Sequence, residues 1–411
     1  MEIEHSSNDF PQSKPPLRVL VLSRNYPNNV MELLGIWVER LVRHSTMYCK
    51  PKVIAPVPYL PPFPWFGEYY TRFRCVEAHR MADGIEVFHP RFLVGPGYSL
   101  HNIESLTYYL GVRRLVNRLH QIFPFDLIHA HFTYPDGVVA AWLGRRYGVP
   151  VVITEQAPWW SWMEEYPFVR RQATWAVKES VFHIAISKAV KDSILYFAGE
   201  TDKLRVIPDG VDGSVFTLSE NGRRPSSNQI LFVGNIRPVK GVDILIKSIR
   251  LLVDRGRNVK LIIVGEGYYQ SYRREYDRMQ QMLYDLNLEG CVEFIGKKPL
   301  ADLVRYIQES VLLVLPSRAE SLGMVLVEAL ACGTPVVATR CGGPEDIVNE
   351  DVGILVPPED PEALARGIEL VLDRRDHYDP AKLRQYALEK FGLDSVGGRI
   401  RQLYEEALSR Y

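Results

Sequence analysis

The chain has 411 residues, of which 46% are hydrophobic and 24% are charged, as is usual for a folded globular protein. Its 49 basic and 49 acidic side chains cancel, which excludes the positive excess of a typical nucleic-acid-binding protein. The five cysteines form no C-x-x-C pair, and this pattern disfavours both a disulfide framework and a zinc site.

The N-terminal residues 1–16 are polar and partly acidic, so we expect a disordered tail there rather than a signal peptide. No apolar run in the sequence approaches the roughly 18 residues that a membrane-spanning helix needs. We therefore expect a cytoplasmic protein, whose contact with a membrane, if it has one, is peripheral and at the inner face.

Short apolar runs alternate with amphipathic stretches along the rest of the chain. In the first half the runs occupy residues 17–23, 52–57, 125–132, 150–156, 182–187 and 204–208. In the second half they occupy residues 229–234, 259–265, 291–296, 311–316, 335–339 and 353–356. Continuous apolar strands separated by helical segments indicate buried parallel sheets that are covered by helices on both faces.

The apolar pattern restarts after a polar stretch, TLSENGRRPSSN, which predicts a linker over residues 217–228. The fold class is therefore α/β, with two doubly wound, Rossmann-like domains over residues 17–216 and 229–380. Residues 381–411 have the pattern of a C-terminal helix. Because ligands of such sheets bind at the carboxyl ends of the strands, we looked for polar and aromatic residues directly after each strand.

Two features follow strands of the first domain. His131 ends a predicted strand in a His-x-His pair, a position where a histidine is more often structural than functional. The stretches 56–70 and 158–168 are rich in proline and aromatic residues, and the second contains Trp159, Trp160 and Trp162. These aromatics fit either packed loops or a platform for a sugar or a lipid, and we predict the platform. Nearby arginines could bind anionic lipid; they are Arg72, Arg74, Arg113, Arg114 and Arg118.

The stretch VGNIRPVKG, residues 233–241, follows the first strand of the second domain. Its Arg237 and Lys240 stand where a diphosphate would need cations, although a basic pair in a loop is often only exposed to solvent. The position at the end of a buried strand favours the phosphate-binding interpretation.

The stretch ESLGMVLVEALACG, residues 320–333, predicts a helix over 322–332 that ends at Gly333. The unpaired amides at such a helix N-terminus suit a diphosphate. Glu320 and Glu328 flank them and would accept hydrogen bonds from sugar and ribose hydroxyls. On residue pattern alone, a dipole-stabilising carboxylate and a solvated helix face explain the two glutamates equally well. The amides in question belong to Leu322, Gly323, Met324 and Val325.

Together these stretches resemble the retaining family 4 glycosyltransferases of the GT-B fold, of the type found in bacterial glycan and polysaccharide biosynthesis. The likeness also includes residues 206–212, 129–137, 262–267, 292–299 and 315–348, in the same order along the chain. It implies two Rossmann-like domains that face each other across a cleft, the first binding the acceptor and the second the nucleotide sugar, with the C-terminal helix of residues 381–411 crossing back to the first domain. The implied reaction moves a hexose from a nucleotide diphosphate sugar to a glycan or lipid-linked acceptor, with retention and without a metal or other cofactor.

The resemblance also implies roles for individual residues. It puts Glu328 on the ribose, Glu320 and His131 at the donor sugar, and Lys240 on the diphosphate. Many family members have arginine where this chain has Asn235, and Arg237 could replace that cation. Further implied sites are Gly35 near the donor phosphates and backbone contacts to the base around Gly296 and Lys297; a Gly35 needed only for an ordinary turn is equally consistent.

Alternative functions within the same fold are a nucleotide-sugar epimerase and a catalytically silent binding protein. Lys240 and both glutamates are present, which disfavours the silent protein. A nicotinamide-dependent dehydrogenase is excluded, because no G-x-G-x-x-G follows residues 17–23.

Overall fold

We describe the protein from a computed structural model, which covers residues 16–60, 72–95, 99–219, 228–266 and 270–411, with the backbone alone at 160–162 and 270–272. The strands are β1 Leu17–Leu22, β2 Cys49–Ile54, β3 Val57–Tyr59, β4 His79–Ala82, β5 Ile85–Phe88, β6 Arg91–Leu93, β7 Leu127–His131, β8 Val151–Glu155, β9 Phe182–Ala185, β10 Leu204–Val206, β11 Gln229–Val233, β12 Lys260–Val264, β13 Val292–Gly296, β14 Leu312–Leu315, β15 Val336–Thr339 and β16 Gly353–Val356.

The helices are α1 Ile36–Ser45, α2 Glu104–Ile122, α3 Val138–Tyr147, α4 Trp160–Glu165, α5 Pro167–Glu179, α6 Lys188–Ala198, α7 Val242–Asp254, α8 Gln270–Asp285, α9 Leu300–Gln308, α10 Met324–Ala331, α11 Pro344–Ile347, α12 Pro361–Asp373, α13 Pro380–Phe391 and α14 Leu393–Arg410. Within the described ranges, none of these helices is both long and apolar enough to cross a membrane.

The first domain is built on an eight-stranded sheet in the order β10-β9-β8-β7-β1-β2-β5-β4. Its strands are parallel except for the β4–β5 hairpin. The strand order reverses between β7 and β1, which pair in register from Val19 with Leu127 to Leu22 with Ala130. This reversal opens a crevice at the carboxyl edge of the sheet, where ligands of doubly wound folds bind.

The second domain has a six-stranded parallel sheet in the order β13-β12-β11-β14-β15-β16. Its order reverses between β11 and β14, which pair at Ile230 with Leu312. The segments that follow these two strands therefore lie side by side at the carboxyl edge. All twelve predicted strands are present, and the predicted fold class is confirmed.

The last helix returns to the first domain. Val396, Ile400 and Leu403 of α14 pack in one apolar cluster with β1 and α1, and the Tyr404 hydroxyl lies 2.6 Å from His129 Nδ1. The chain crosses between domains at Val211, whose amide donates to the carbonyl of Phe391 at 2.7 Å. The C-terminal helix thus ties the two domains together at the crossing point.

Candidate active site

Lys240 and Glu320 meet at the reversal point of the second sheet. Lys240 ends the short helical turn Pro238–Lys240 after β11, and Glu320 lies in the loop after β14. The Lys240 Nζ atom is 2.5 Å from Glu320 Oε1, and the Ser317 hydroxyl donates to the same oxygen at 2.6 Å. The Lys240 side chain keeps 25% of its surface exposed, so it remains accessible to an anionic ligand.

A glycine allows the two loops to touch. Gly241 has a φ of +66°, and a Cβ at this position would lie 2.0 Å from the carbonyl oxygen of Pro316. Any other residue would therefore push the loop after β11 away from the loop after β14. This contact is the local reason that Lys240 reaches Glu320.

Arg318 joins the same two loops, and no local sequence pattern indicates this role. Its guanidinium donates to both carboxylate oxygens of Asp243, each at 2.9 Å, and its amide donates to the carbonyl of Val239 at 2.8 Å. Burial opposes ionisation of Asp243, but the hydrogen bonds and charge of Arg318 outweigh it and lower the pKa of that carboxyl. Arg318 is a positioning residue for Lys240.

The helix after Glu320 begins later than predicted. It starts at Met324, because Gly323 has the left-handed φ of +91° that interrupts the helical path. Leu322 therefore lies before the helix, with its side chain buried, and the prediction of a helix from 322 to 332 is corrected to Met324–Ala331. Met324 and Val325 are the first two helical residues, where backbone amides have no partner within the helix.

Glu328, in the second turn of α10, points toward the first domain. Its Oε1 atom is 3.6 Å from a guanidinium nitrogen of Arg40 on α1, and both side chains are 16% exposed. Burial raises the pKa of Glu328 to about 7, although the charge of Arg40 opposes the rise. Glu328, the residue predicted to bind the ribose, therefore lies at the contact between the domains. Arg40, beside it, was not predicted from the sequence.

The two histidines of the His-x-His pair have different surroundings. His129 contacts the hydroxyls of Tyr404 and Thr154 at 2.6 and 2.8 Å. His131 is fully buried, and neither of its ring nitrogens has a hydrogen-bond partner in the part of the chain that the structure describes. Burial lowers the pKa of His131 to about 3, so its imidazole is neutral and can offer a hydrogen bond but is a weak base.

The other donor-site candidates lie along the same edges of the sheets. Gly35 precedes α1 with a φ of +65°, and a Cβ there would lie 1.9 Å from the carbonyl oxygen of Asn25. The local backbone packing therefore requires glycine at this position. Asn235 and Arg237 are exposed in the loop after β11. Gly296 accepts a hydrogen bond from the amide of Gly265 at 3.1 Å, and Lys297, next to it, donates its amide to Glu266 at 3.2 Å.

Trp159 contradicts the prediction of an aromatic platform. Its side chain is fully buried, and its indole nitrogen donates to Glu155 Oε2 at 2.8 Å. The amide of Trp159 donates to the Ser193 hydroxyl at 3.1 Å, so the loop after β8 folds inward against α6. The side chains of Trp160 and Trp162, and residues 61–70 of the other aromatic stretch, lie outside the described residues.

A cavity of about 230 Å³ opens at the carboxyl edge of the first sheet, between residues that are far apart in sequence. Arg24, Glu104 and His101 form one polar side. An Arg24 guanidinium nitrogen lies 2.5 Å from Glu104 Oε1, and His101 Nδ1 lies 3.0 Å from Glu104 Oε2. The remaining lining is mostly apolar and includes Leu34, Val57, Pro58, Phe73, Phe92 and Leu100. We call this cavity the Arg24 pocket.

In the described ranges, no three or more histidine, cysteine, aspartate or glutamate side chains are grouped as metal ligands would be. Among the described residues, two ion pairs join side chains of the two domains, Arg40 with Glu328 and Lys188 with Asp346.

Two family models match the chain. The model described as Glycosyltransferase Family 4 matches residues 70–214, and the model described as Glycosyl transferases group 1 matches residues 217–390. An uncharacterized glycosyltransferase of Methanocaldococcus jannaschii is 30% identical over 317 residues, which cover 75% of this chain and 84% of that protein. A D-inositol 3-phosphate glycosyltransferase of Paenarthrobacter aurescens is 28% identical over 352 residues, covering 77% and 84%.

Solved structures have a similar fold. Sucrose-phosphate synthase from Thermosynechococcus elongatus covers 96% of this chain and all 100% of its own, with a TM-score of 0.76 at 18% identity. HepE of Anabaena, in complex with UDP and glucose, covers 95% and 100%, with a TM-score of 0.70 at 20% identity.

Proposed function

Because this chain belongs to glycosyltransferase family 4, with the GT-B fold, we propose that it transfers a hexose from a nucleotide diphosphate sugar to a glycan or lipid-linked acceptor. The observation that carries the proposal is the contact between Lys240 and Glu320, 2.5 Å apart at the reversal point of the second sheet. An ammonium for the diphosphate and a carboxylate for sugar hydroxyls stand together there. HepE was solved with UDP and with UDP-glucose, so UDP-glucose is the first donor to test.

The proposed reaction proceeds with retention. The diphosphate lies between Lys240 and the amides at the start of α10, and these groups stabilise the negative charge that develops as the glycosidic bond breaks. The acceptor hydroxyl attacks from the same face of the sugar, and its proton passes to the departing phosphate. His131, as a neutral imidazole, orients the sugar by a hydrogen bond and takes no proton.

The proposal includes no metal and no other cofactor. Lys240 and the helix amides supply the positive potential that a divalent cation supplies in other nucleotide-sugar enzymes. Donor binding and transfer are therefore expected to persist in excess EDTA.

We expect substitutions of Glu328 and Glu320 to have different effects on UDP affinity and on the rate of transfer. Glu328, assigned to the ribose, contacts a group that is the same in the ground and transition states, so Glu328→Gln weakens the binding of UDP. Glu320, assigned to the sugar, makes no contact with bare UDP but neutralises Lys240 at 2.5 Å, so Glu320→Gln does not lower that affinity, can raise it, and lowers the rate of transfer. Calorimetry with UDP, together with initial rates, measures both. Glu293→Gln, at an exposed site on β13, is the matched control.

The pKa of Glu328 gives this experiment a second readout. Since burial raises that pKa to about 7, wild-type Glu328 gains a proton as the pH falls through this value and loses its capacity to accept from both ribose hydroxyls. UDP affinity should therefore fall more steeply with decreasing pH in the wild type than in Glu328→Gln. Equal losses of UDP affinity in both glutamine variants would contradict the assignment of the two carboxylates.

We propose in addition a peripheral contact with an anionic membrane through one face of α2. Leu106 and Leu110 are both 47% exposed on this helix. Arg113, Arg114 and Arg118 are also exposed, and their spacing places them along the same side further down the helix. Apolar side chains beside arginines suit an interface with anionic headgroups.

Replacing both Leu106 and Leu110 by serine is expected to reduce co-sedimentation with phosphatidylglycerol vesicles while UDP binding stays unchanged. The control is Met81→Ser, which removes a comparably exposed apolar side chain from the edge strand β4. Equal vesicle binding by the wild type and the double variant would refute the membrane contact.

A further inference from the structure

The Arg24 pocket lies at the carboxyl edge of the first sheet, the edge at which β7 ends with His131. Arg24 follows β1 directly, and β1 flanks the reversal point of the first sheet next to β7, the strand that ends at His131. The pocket volume of about 230 Å³ is below the roughly 300–1,000 Å³ of sites that take drug-sized ligands. It therefore suits a single ring rather than an oligosaccharide.

The only arginine or lysine that lines this pocket, within the described residues, is already matched by carboxyl groups. Arg24 is paired with Glu104 at 2.5 Å, and its backbone amide donates to Asp136 Oδ1 at 2.8 Å. Burial opposes ionisation of Glu104, but the hydrogen bond from His101 and the charge of Arg24 outweigh it and lower the pKa of Glu104. The pocket therefore has no uncompensated positive charge.

Asp136 lies behind Arg24, and burial raises the pKa of its carboxyl to about 7, although the charge of Arg24 opposes the rise. It is fully buried, the Tyr108 hydroxyl donates to its Oδ1 atom at 2.9 Å, and its Oδ2 atom has no partner in the described part of the chain. Arg72 and Arg74 flank Phe73 in sequence and Arg91 precedes Phe92, but none of these three arginines lines the pocket. Among the described residues, Arg24 is therefore the only arginine or lysine in the lining, and it is paired with Glu104.

We propose that the Arg24 pocket receives an uncharged, hydroxylated ring of the acceptor, a neutral sugar or polyol, and disfavours a ring that carries a phosphate. A hydroxyl can donate to Glu104 and accept from Arg24 while the ion pair stays intact. A phosphate would have to displace Glu104 from Arg24 and then lie beside that carboxylate. The apolar wall of Phe73, Phe92 and Leu100 suits the carbon-rich face of such a ring. This inference rests on the proposed function, because it assigns the acceptor subsite of that reaction.

Saturation-transfer NMR on the whole protein with saturating UDP tests the proposal, because it detects weak ligands. The probes are glucose, N-acetylglucosamine and myo-inositol, each paired with a monophosphate of the same ring. In the wild type, neutral members should bind about tenfold or more tightly than their phosphates, the size of effect expected when one charged hydrogen bond is lost. Leu100→Trp, which fills the pocket from its wall, should remove the signals of the neutral probes.

Glu104→Gln releases the Arg24 guanidinium, so it should shift the preference toward the phosphates by about tenfold. The matched control is Asp126→Asn, which removes the carboxylate paired with Arg18 at 2.6 Å in the same domain and should leave the preference unchanged. The inference is overturned if no neutral probe binds, if the phosphates bind as tightly as the neutral rings, or if Glu104→Gln leaves the ratio unaltered. UDP affinity is measured in the same samples. If the wild type does not bind UDP, the proposed function is refuted. If it binds UDP but prefers the phosphorylated rings, only the inference about the Arg24 pocket is refuted.

Discussion

Replacing Lys240 by alanine is expected to lower turnover by on the order of 100-fold, with a much smaller loss of UDP affinity. The ammonium lies at the reversal point of the sheet, 2.5 Å from Glu320, where the diphosphate is proposed to depart. A donor that acts on developing charge contributes more to the transition state than to the bound substrate. Initial rates at saturating UDP-glucose and calorimetry with UDP measure the two quantities.

The matched control is Lys260→Ala. Lys260 begins β12 of the same sheet and pairs with Glu293 at 2.9 Å, but it stands at the amino end of its strand, away from the proposed donor site. Near-normal turnover of Lys240→Ala would show that Arg237 or the α10 amides carry the diphosphate instead.

Replacing Trp159 by alanine is expected to destabilise the protein by about 3–5 kcal/mol, the cost of truncating a buried tryptophan. The ring is fully buried, and its loss also removes the hydrogen bond to Glu155. Urea denaturation followed by circular dichroism measures the loss. Trp159→Phe should recover much of the packing while leaving Glu155 without its indole donor, so its loss should be smaller.

Phe168→Ala is the matched control for Trp159, because Phe168 belongs to the same aromatic stretch but is 68% exposed. It should change the unfolding midpoint little. Unchanged stability of Trp159→Ala together with weaker use of an acceptor would contradict the buried position and restore the predicted platform.

The sequence predicts best the strands that are nearly continuous apolar runs with every residue buried, such as β14 and β15. It predicts the region between β2 and α2 poorly, where β3 to β6 are only three or four residues long. One turn in this region could have been predicted from the sequence. Asp83 and Gly84 separate β4 from β5 with φ values of +49° and +80°, and an Asp-Gly pair between short strands is typical of a two-residue hairpin turn.

Residues of the candidate site could likewise be predicted only where they lie in a short sequence motif. Lys240, Glu320 and Glu328 lie in compact motifs, so their stretches could be recognised from local sequence. Their supporting partners lie far away along the chain: Arg318 is 75 residues from Asp243, and Arg24 is 80 residues from Glu104.

Such pairs depend on which loops the sheet order brings together, and local patterns do not contain that information. The burial of Trp159 likewise depends on Ser193 of α6, so the aromatic cluster alone could not distinguish packing from a platform.

Thermal unfolding with a panel of nucleoside diphosphates and nucleotide sugars, in buffer that contains excess EDTA, measures whether the protein binds a nucleotide donor without a metal ion. We expect at least one nucleoside diphosphate, UDP first among them, to stabilise the wild type by about 2.7 kcal/mol at 100 times its dissociation constant. The same nucleotide should stabilise Glu328→Gln less at equal concentration. A panel in which no nucleotide shifts the unfolding transition, or in which every shift disappears with EDTA, would contradict this expectation.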